Sequence, residues 1–149
     1  MRIGLVASSG GHLTQLLKLK DSWKGHEVFC VTTTEVVRER LQREGPVYVV
    51  GECNRQHPLR TVCVLCRCVG IVLREKADVI ISTGAAAGCM VCFLGKCRGA
   101  KVVWMDSITN VKRLSLSGRL IRPFADLFLV QWPELATKYK GAEYVGAVI

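Results

Sequence analysis

Short apolar runs rich in β-branched residues alternate along the chain with longer segments in which apolar residues recur at helical spacing. The short runs end at glycine, proline or charged residues, which is typical of buried strands. They predict strands at residues 2–7, 26–33, 47–50, 79–82, 101–105 and 127–130. The segments between them predict helices at residues 12–22, 35–43, 58–76 and 87–98.

Strands and helices that alternate in this order predict an α/β fold, a doubly wound parallel sheet with helices on both faces. The chain has 149 residues and four prolines, with no linker, repeat or low-complexity segment, so we expect one continuous domain over residues 1–149. Ligands bind to such sheets outside the carboxyl ends of the strands. The candidate binding loops are therefore at residues 8–11, 83–88 and 106–117.

The first of these loops reads Ser-Ser-Gly-Gly-His and leads into a predicted helix. Ser9, Gly10 and Gly11 let backbone amides approach an anion, and the start of the helix adds partial positive charge. His12 stands where an imidazole can act as a general base or donate to phosphate. The alternative is a structural role. The first turn of an α/β sheet favours small residues, and a histidine at the start of a helix often has a ring whose hydrogen bonds are made within the protein and which has no catalytic role.

The common nucleotide fingerprints do not occur in this chain. The absence of GxGxxG and GxxxxGK[ST] argues against a dinucleotide oxidoreductase and a P-loop kinase. The loop at residues 83–88 has only small residues around Gly84 and precedes a helix. It is either a second contact for an anion or sugar, or a place where helix and sheet pack closely.

The net charge of +9, from 21 Lys and Arg against 12 Asp and Glu, favours an anionic partner such as phosphate, nucleic acid or an acidic membrane. Between Asp106 and Asp126 the chain has no acid, and apolar residues are interleaved with the cations Lys112, Arg113, Arg119 and Arg122. This mixture suits lipid headgroups or a lipid-linked diphosphate, although a solvated basic loop has the same pattern. Asp106, at a strand end, is a candidate to orient a sugar hydroxyl, to act as a base or to cap the next turn.

The predicted helix at residues 58–76 is mostly apolar, with Arg60, Arg67 and Arg74 recurring every seven residues on one narrow stripe. Such a helix needs cover on most of its circumference. We expect a partner chain or a membrane to supply part of this cover. The alternative is a well-buried helix with only a narrow solvent-exposed stripe.

The eight cysteines include two groups with metal-like spacing, Cys63-x-x-Cys66-x-Cys68 and Cys89-x-x-Cys92. Both groups lie inside predicted apolar helices rather than on turns, so we interpret them as core thiols and expect no metal site. The opening MRIGLVASSGGH lacks the apolar stretch of a signal peptide, which indicates a reducing cytosol. The longest uncharged run, residues 79–95, is too short for a membrane span and is interrupted by glycine. Aromatic residues make up only 7% of the chain and form no RNA-stacking motif, so we expect no nucleic-acid partner.

Four segments of the chain resemble one known family: ASSGGH near the start, STGAAAG after the fourth predicted strand, VVWMDSITNVKRLSLSGRLIRPFADLFLVQWPELATKY at residues 102–139, and the tail YVGAVI. They are similar to the acceptor-side subunit of two-chain N-acetylglucosaminyltransferase-like enzymes. The eukaryotic members are the asparagine-linked glycosylation protein fourteen family, and the bacterial ones are exopolysaccharide proteins of the PssD and CpsF type.

The resemblance implies a split, inverting glycosyltransferase of the GT-B type, in which this chain is a Rossmann-like sheet equivalent to the N-terminal half of single-chain MurG. A separate, smaller partner chain would carry most of the site for a UDP-sugar donor, and this chain would be inactive or nearly so alone. The acceptor would be a polyprenyl-diphosphate-linked saccharide at the cytosolic face of a membrane, in polysaccharide or lipid-linked oligosaccharide synthesis. No cofactor or metal is implied. The N-terminal membrane helix of eukaryotic relatives is not found here, so we expect peripheral attachment.

Carried over by position, Ser9, Gly10 and Gly11 match a glycine loop near the acceptor diphosphate, and His12 matches the proposed general base. Gly84 lies in the second loop. Asp106 and Ser107 align with an acidic residue, more often Glu, and a serine, which leaves His12 and Asp106 as alternative bases. Lys112 and Arg113 complete the expected acceptor-binding set.

Two other function classes remain open at this stage. One is a self-sufficient nucleotide-sugar enzyme such as an epimerase or reductase, which the missing dinucleotide fingerprint disfavours. The other is a basic scaffold or nucleic-acid-binding module without catalytic activity, whose binding would weaken steeply with salt.

Overall fold

The computed structural model describes residues 1–53 and 55–148. Within them, parallel strands form one sheet in the order β3-β2-β1-β4-β5-β6-β7. The strands are β1 Arg2–Val6, β2 Glu27–Thr32, β3 Val47–Val49, β4 Val79–Ser82, β5 Lys101–Met105, β6 Leu127–Val130 and β7 Ala142–Tyr144. The expected single domain over residues 1–149 includes Asn54 and Ile149, which lie outside the described residues.

Helices connect the strands and cover both faces of the sheet. They are α1 Gly11–Leu17, α2 Arg38–Gln42, α3 Pro58–Glu75, α4 Ala85–Cys97, α5 Leu116–Ile121 and α6 Pro133–Lys138. Three short 3₁₀ segments lie at Lys20–Trp23, Glu35–Val37 and Arg122–Phe124.

The apolar core consists of two layers, one on each face of the sheet. On one face, α1 and α2 bury Leu13, Leu16 and Leu41 against strand residues such as Leu5 and Cys30. On the other face, α3, α4 and α5 bury their apolar stripes against a larger group of strand residues, among them Phe29, Ile80, Val102 and Trp104. The runs predicted as strands are apolar because both faces of the sheet are covered.

The chain leaves the centre of the sheet in two directions. It first moves outward from β1 to β2 and β3, and then α3 carries it back across so that β4 pairs with the other edge of β1. This reversal opens a crevice between the loops that follow β1 and β4, the usual ligand position in a doubly wound sheet. The predicted fold class is confirmed, and two of the predicted loops flank the crevice.

The differences from the predicted elements are at helix ends and in short elements. The helix predicted at residues 12–22 ends at Leu17 and continues as a 3₁₀ turn, and the one predicted at residues 35–43 is partly 3₁₀. The edge strand β7 and the helices α5 and α6 were not predicted. Each is only three to six residues long, too short to show a periodic pattern.

Candidate active site at the switch point of the sheet

The loop after β1 presents open backbone at the crevice. Gly10 has φ 82°, a left-handed conformation that favours glycine, and it precedes the first residue of α1. A Cβ atom at either Gly10 or Gly11 would meet nothing within 4 Å, and both residues are exposed. With Ser9, which is half-buried, they form a small-residue rim that a ligand can approach closely.

The His12 ring is fixed by the loop that follows β4. Its Nδ1 lies 2.7 Å from the carbonyl oxygen of Thr83, and the Thr83 hydroxyl donates to the His12 carbonyl at 2.7 Å. A carbonyl oxygen only accepts hydrogen bonds, so Nδ1 carries the proton in this contact. In the neutral imidazole, Nε2 then retains its lone pair. His12 is half-buried, and the arrangement prepares Nε2 to accept a proton.

Gly84 provides the space in which the His12 ring lies. A Cβ atom at Gly84 would stand 2.6 Å from His12 Cε1 and 2.7 Å from Nδ1, and the residue has φ 135°, where side chains are strained. The structure therefore brings two of the predicted site residues into direct contact. The next residue, Ala85, also has a positive φ of 69°. α4 begins there without a side-chain cap, so its first-turn amides have no capping side chain as a partner.

Asp106 lies in a separate, closed network at the end of β5. The residue is 1% exposed. Its Oδ1 accepts from Trp104 Nε1 at 3.2 Å and from the Ser115 hydroxyl at 2.6 Å, and its Oδ2 accepts from Asn110 Nδ2 at 3.1 Å and from the Ser115 amide at 3.0 Å. A Cβ atom at Gly118 would come within 2.6 Å of Oδ1. The carboxylate thus ties the loop after β5 to the first turn of α5.

The other predicted residues of this loop lie at different depths. Ser107 is buried, and its hydroxyl lies 3.0 Å from that of Thr109. Lys112 and Arg113 are exposed, and the Lys112 carbonyl accepts from Lys138 Nζ at 3.0 Å. The two cationic side chains therefore extend from a loop whose base is anchored by Asp106.

One buried network at this edge was missed by the sequence analysis. Gln131, just after β6, donates from Nε2 to Gln15 Oε1 at 2.6 Å and to the Asp106 carbonyl at 3.0 Å. Its Oε1 accepts from the Val148 amide at 2.9 Å. The network joins α1, β5 and the tail of the chain, and it closes the sheet edge beside the first loop. No sequence motif marks it, because its members are far apart along the chain.

The outer sides of α3, α4 and α5 carry exposed apolar side chains together with exposed arginines, among them Arg60 and Arg119, and we call this side the apolar–basic surface. A groove of about 630 Å³ lies in it, lined by residues such as Leu65, Phe93, Leu116, Leu120 and Phe124. All five side chains are at least 40% exposed, and Leu59 at the start of α3 is 81% exposed. In these three helices Glu75 is the only acid, and it is buried and hydrogen-bonded to Arg2 and Tyr48.

The cysteines of α3 and α4 lie on helices, as predicted, but only Cys68 and Cys92 are buried. Cys63 and Cys66 are exposed, because they lie on the outer side of α3, so the prediction of core thiols is wrong for those two. Burial raises the pKa of the Cys68 thiol to about 11 and also raises that of Cys92, so both are neutral thiols at physiological pH. Among residues 1–53 and 55–148, no three His, Cys, Asp or Glu side chains come together as a metal site. Within the same ranges, every helix is too short or too polar to cross a membrane.

Comparison with known sequences gives one matching family model. It is described as "Oligosaccharide biosynthesis protein Alg14 like", and it matches residues 47–148. A protein of Schizosaccharomyces pombe named UDP-N-acetylglucosamine transferase subunit alg14 is 49% identical over 76 residues, which are 48% of this chain and 36% of that protein. Proteins named UDP-N-acetylglucosamine transferase subunit ALG14 from Yarrowia lipolytica and Mus musculus are each 30% identical, covering 97% and 100% of this chain and 67% and 83% of their own lengths.

Comparison with solved structures shows the same fold in larger proteins. MurG from Acinetobacter baumannii matches with a TM-score of 0.77 at 14% identity, over 98% of this chain and 45% of that one. A UDP-GlcNAc 2-epimerase from Methanocaldococcus jannaschii matches with a TM-score of 0.68 at 11% identity, over 93% and 41% of the two chains. At such identities the likeness establishes the fold, which corresponds to the N-terminal half of MurG-like GT-B enzymes.

Proposed function

Because this chain belongs to the Alg14-like family of oligosaccharide biosynthesis proteins, we propose that it is the acceptor-binding, membrane-recruiting subunit of a two-chain glycosyltransferase. The pair transfers a sugar from a UDP-sugar to a polyprenyl-diphosphate-linked saccharide. The observation that carries this proposal is the His12 ring, which the Thr83 carbonyl holds through Nδ1 at the switch-point crevice between two loops of small residues.

The division between two chains is supported by the names of the relatives and by the extent of the match. The curated relatives are named as transferase subunits. This sheet corresponds to less than half of the MurG chain. We propose that a separate small chain supplies most of the contacts to the UDP-sugar donor. From the names of the relatives, we propose UDP-N-acetylglucosamine as that donor.

His12 acts as the general base in the proposed reaction. Nε2 accepts the proton of the acceptor hydroxyl as the hydroxyl oxygen forms a bond to the anomeric carbon of the donor. The bond between that carbon and the UDP oxygen breaks, and UDP leaves with the electron pair. A single displacement of this kind inverts the anomeric carbon. The Thr83 carbonyl stabilises the imidazolium that results, since it accepts from Nδ1 in both protonation states.

Asp106 has a positioning role in this proposal. Its two oxygens already accept from four donors and are buried, which leaves them poorly placed to take a proton from a substrate. The carboxylate instead fixes the loop that presents Lys112 and Arg113. We assign these two cations, together with Ser9, Gly10 and Gly11, to the acceptor diphosphate, because exposed cations and open backbone amides both favour an anion.

The apolar–basic surface recruits the chain to the membrane that holds the acceptor. Exposed leucine and phenylalanine side chains enter the boundary of the bilayer, and the arginines beside them meet anionic headgroups. The near absence of acids on this side removes a source of repulsion. The groove between α4 and α5 opens on the same side, so the lipid-linked acceptor and the protein approach each other at the membrane face.

The test is a transfer assay on membrane fractions that contain this chain alone, its donor-binding partner alone, or both. Labelled UDP-sugars and lipid-linked acceptors are the substrates. We expect transfer only from the pair. Transfer by this chain alone would favour a self-sufficient enzyme, and no transfer by a folded pair across the common UDP-sugars would favour a scaffold.

A further inference from the structure

A smaller cavity lies at the carboxyl edge of the sheet, where the loops after β1, β2 and β4 meet. It measures about 160 Å³ and is lined by Ser8, Thr33, Glu52, Cys53 and residues 85–87 in the first turn of α4. We call it the ring cavity. Ser8 directly precedes the loop that leads to His12, and Ala85 directly follows the glycine on which the His12 ring packs. The cavity therefore adjoins the two loops that hold the proposed base.

The Thr33 hydroxyl is one of three successive threonine hydroxyls without a hydrogen-bond partner in the described residues, and of the three only Thr33 lines the ring cavity. Thr33 is 7% exposed, and its Oγ1 has no hydrogen-bond partner among residues 1–53 and 55–148. A buried hydroxyl without a partner destabilises the folded state, so such groups are rare and call for an explanation. Because Thr33 lines the ring cavity, a polar group bound there would supply the partner.

The remaining walls restrict the chemistry of that ligand. The uncapped amides of α4 donate hydrogen bonds, and the Glu52 carboxylate only accepts them. Within the described part of the chain, no salt bridge pairs Glu52 with a cation. A phosphate would suit the amides but would be repelled by Glu52, whereas a hydroxylated ring both accepts from amides and donates to a carboxylate.

We propose that the ring cavity binds the hydroxyl groups of the sugar ring in the acceptor saccharide, with Thr33 and Glu52 as sugar-binding residues. The inference rests on the proposed function, because it assumes a saccharide acceptor at His12. A sugar ring bound there lies beside the glycine loop, to which the diphosphate is assigned, because Ser8 lines the cavity and directly precedes that loop.

The experiment measures equilibrium binding of this chain to short-chain polyprenyl diphosphates. One probe is sugar-free geranylgeranyl diphosphate, and the others carry a single N-acetylglucosamine, N-acetylgalactosamine, glucose or galactose. The variants are Thr33→Val and Glu52→Gln. The control is Thr32→Val, the same substitution at the preceding residue, which is also buried. Its hydroxyl likewise has no partner in the described part of the chain, but Thr32 does not line the cavity.

We expect the wild type to bind at least one sugar-bearing probe more tightly than the sugar-free one. Thr33→Val should weaken that probe by about fivefold and Glu52→Gln by about tenfold or more, since bonds to charged groups are stronger. Neither variant should change the affinity for the sugar-free diphosphate, and Thr32→Val should change neither affinity. The Tm of Thr33→Val should match or exceed that of the wild type, because the substitution removes no hydrogen bond.

Two results would overturn the inference. One is a wild type that holds none of the four sugar-bearing probes more tightly than the sugar-free diphosphate. The other is a pair of variants that keep the full sugar preference or lose affinity equally for all probes. Transfer assays on the two-chain enzyme separate this failure from failure of the proposed function, because an active pair with unchanged acceptor KM in Thr33→Val and Glu52→Gln would refute only the ring cavity.

Discussion

Replacement of Gly84 by alanine tests whether the crevice acts through the His12 ring. The new Cβ would lie 2.6 Å from His12 Cε1, so the ring must retreat by about 0.8 Å to reach the 3.4 Å at which ordinary van der Waals contact begins. That movement pulls Nδ1 away from the Thr83 carbonyl, now at 2.7 Å. A displacement of nearly 1 Å in a catalytic group costs about 100-fold in rate.

The same substitution also affects stability. Alanine at φ 135° costs about 1–3 kcal/mol in backbone strain, and the lost hydrogen bond adds about 1 kcal/mol. A domain with a typical free energy of unfolding of about 5–15 kcal/mol stays folded after such a loss. We therefore expect Gly84→Ala to fold, with transfer by the two-chain enzyme reduced about 100-fold.

The assay is the initial rate of sugar transfer by the purified pair, with chemical denaturation to verify folding. Gly99→Ala is the matched control, because Gly99 has φ 90° and a Cβ there would meet nothing within 4 Å. It should lose stability and keep activity. In a His12→Ala background, Gly84→Ala should cost no further activity, since the ring it displaces is gone. A Gly84→Ala enzyme with wild-type activity, or one whose loss adds fully to that of His12→Ala, would refute the reasoning.

Three further changes have defined outcomes. Asp106→Asn replaces an accepting oxygen with a donor inside a network of donors, so the free energy of unfolding should fall by about 2–4 kcal/mol; acceptor KM should rise while kcat is largely retained, and a lost kcat in a folded variant would instead make Asp106 the base. Leu120→Ser should weaken sedimentation with anionic vesicles, whereas Val36→Ser, at a residue that is 89% exposed on the opposite side, should not; equal effects would contradict membrane docking by the apolar–basic surface. Lys96 holds the pKa of Asp126 below its usual range, so this pair stabilises the fold above the ordinary carboxyl pKa and the benefit is lost as pH falls through the lowered value. Urea unfolding at several pH values should show that the wild type loses its stability advantage over Asp126→Asn in acid. A difference in free energy of unfolding that stays constant with pH would contradict a stabilising Lys96–Asp126 pair.

The sequence was a good guide to the sheet and a partial guide to the site. Buried parallel strands are apolar on both faces, so their runs are visible locally, and the order of elements follows from their alternation. The loop with Gly10, Gly11 and His12 could be recognised because it is contiguous. The start of α4 could not be located, because helical spacing does not reveal that Ala85 takes a positive φ.

Contacts between distant parts of the chain could not be predicted from local patterns. The Nδ1 contact that sets the tautomer of His12 comes from Thr83, 71 residues away. The four bonds of Asp106 distinguish an anchored carboxylate from a free one, although both look alike at the end of a strand. The sequence does not mark Thr33 either, since a threonine near a strand end is common. Only the fold shows that its hydroxyl is buried without a partner among the described residues.

The most direct measurement for the central claim is UDP-sugar transfer by the purified two-chain enzyme with His12→Ala in this chain, read together with co-purification of the partner. The account predicts about a 100-fold or greater loss of kcat, with the partner still bound and the acceptor still held, because only the proton acceptor at Nε2 is removed. Transfer at the wild-type rate by the His12→Ala pair would contradict it.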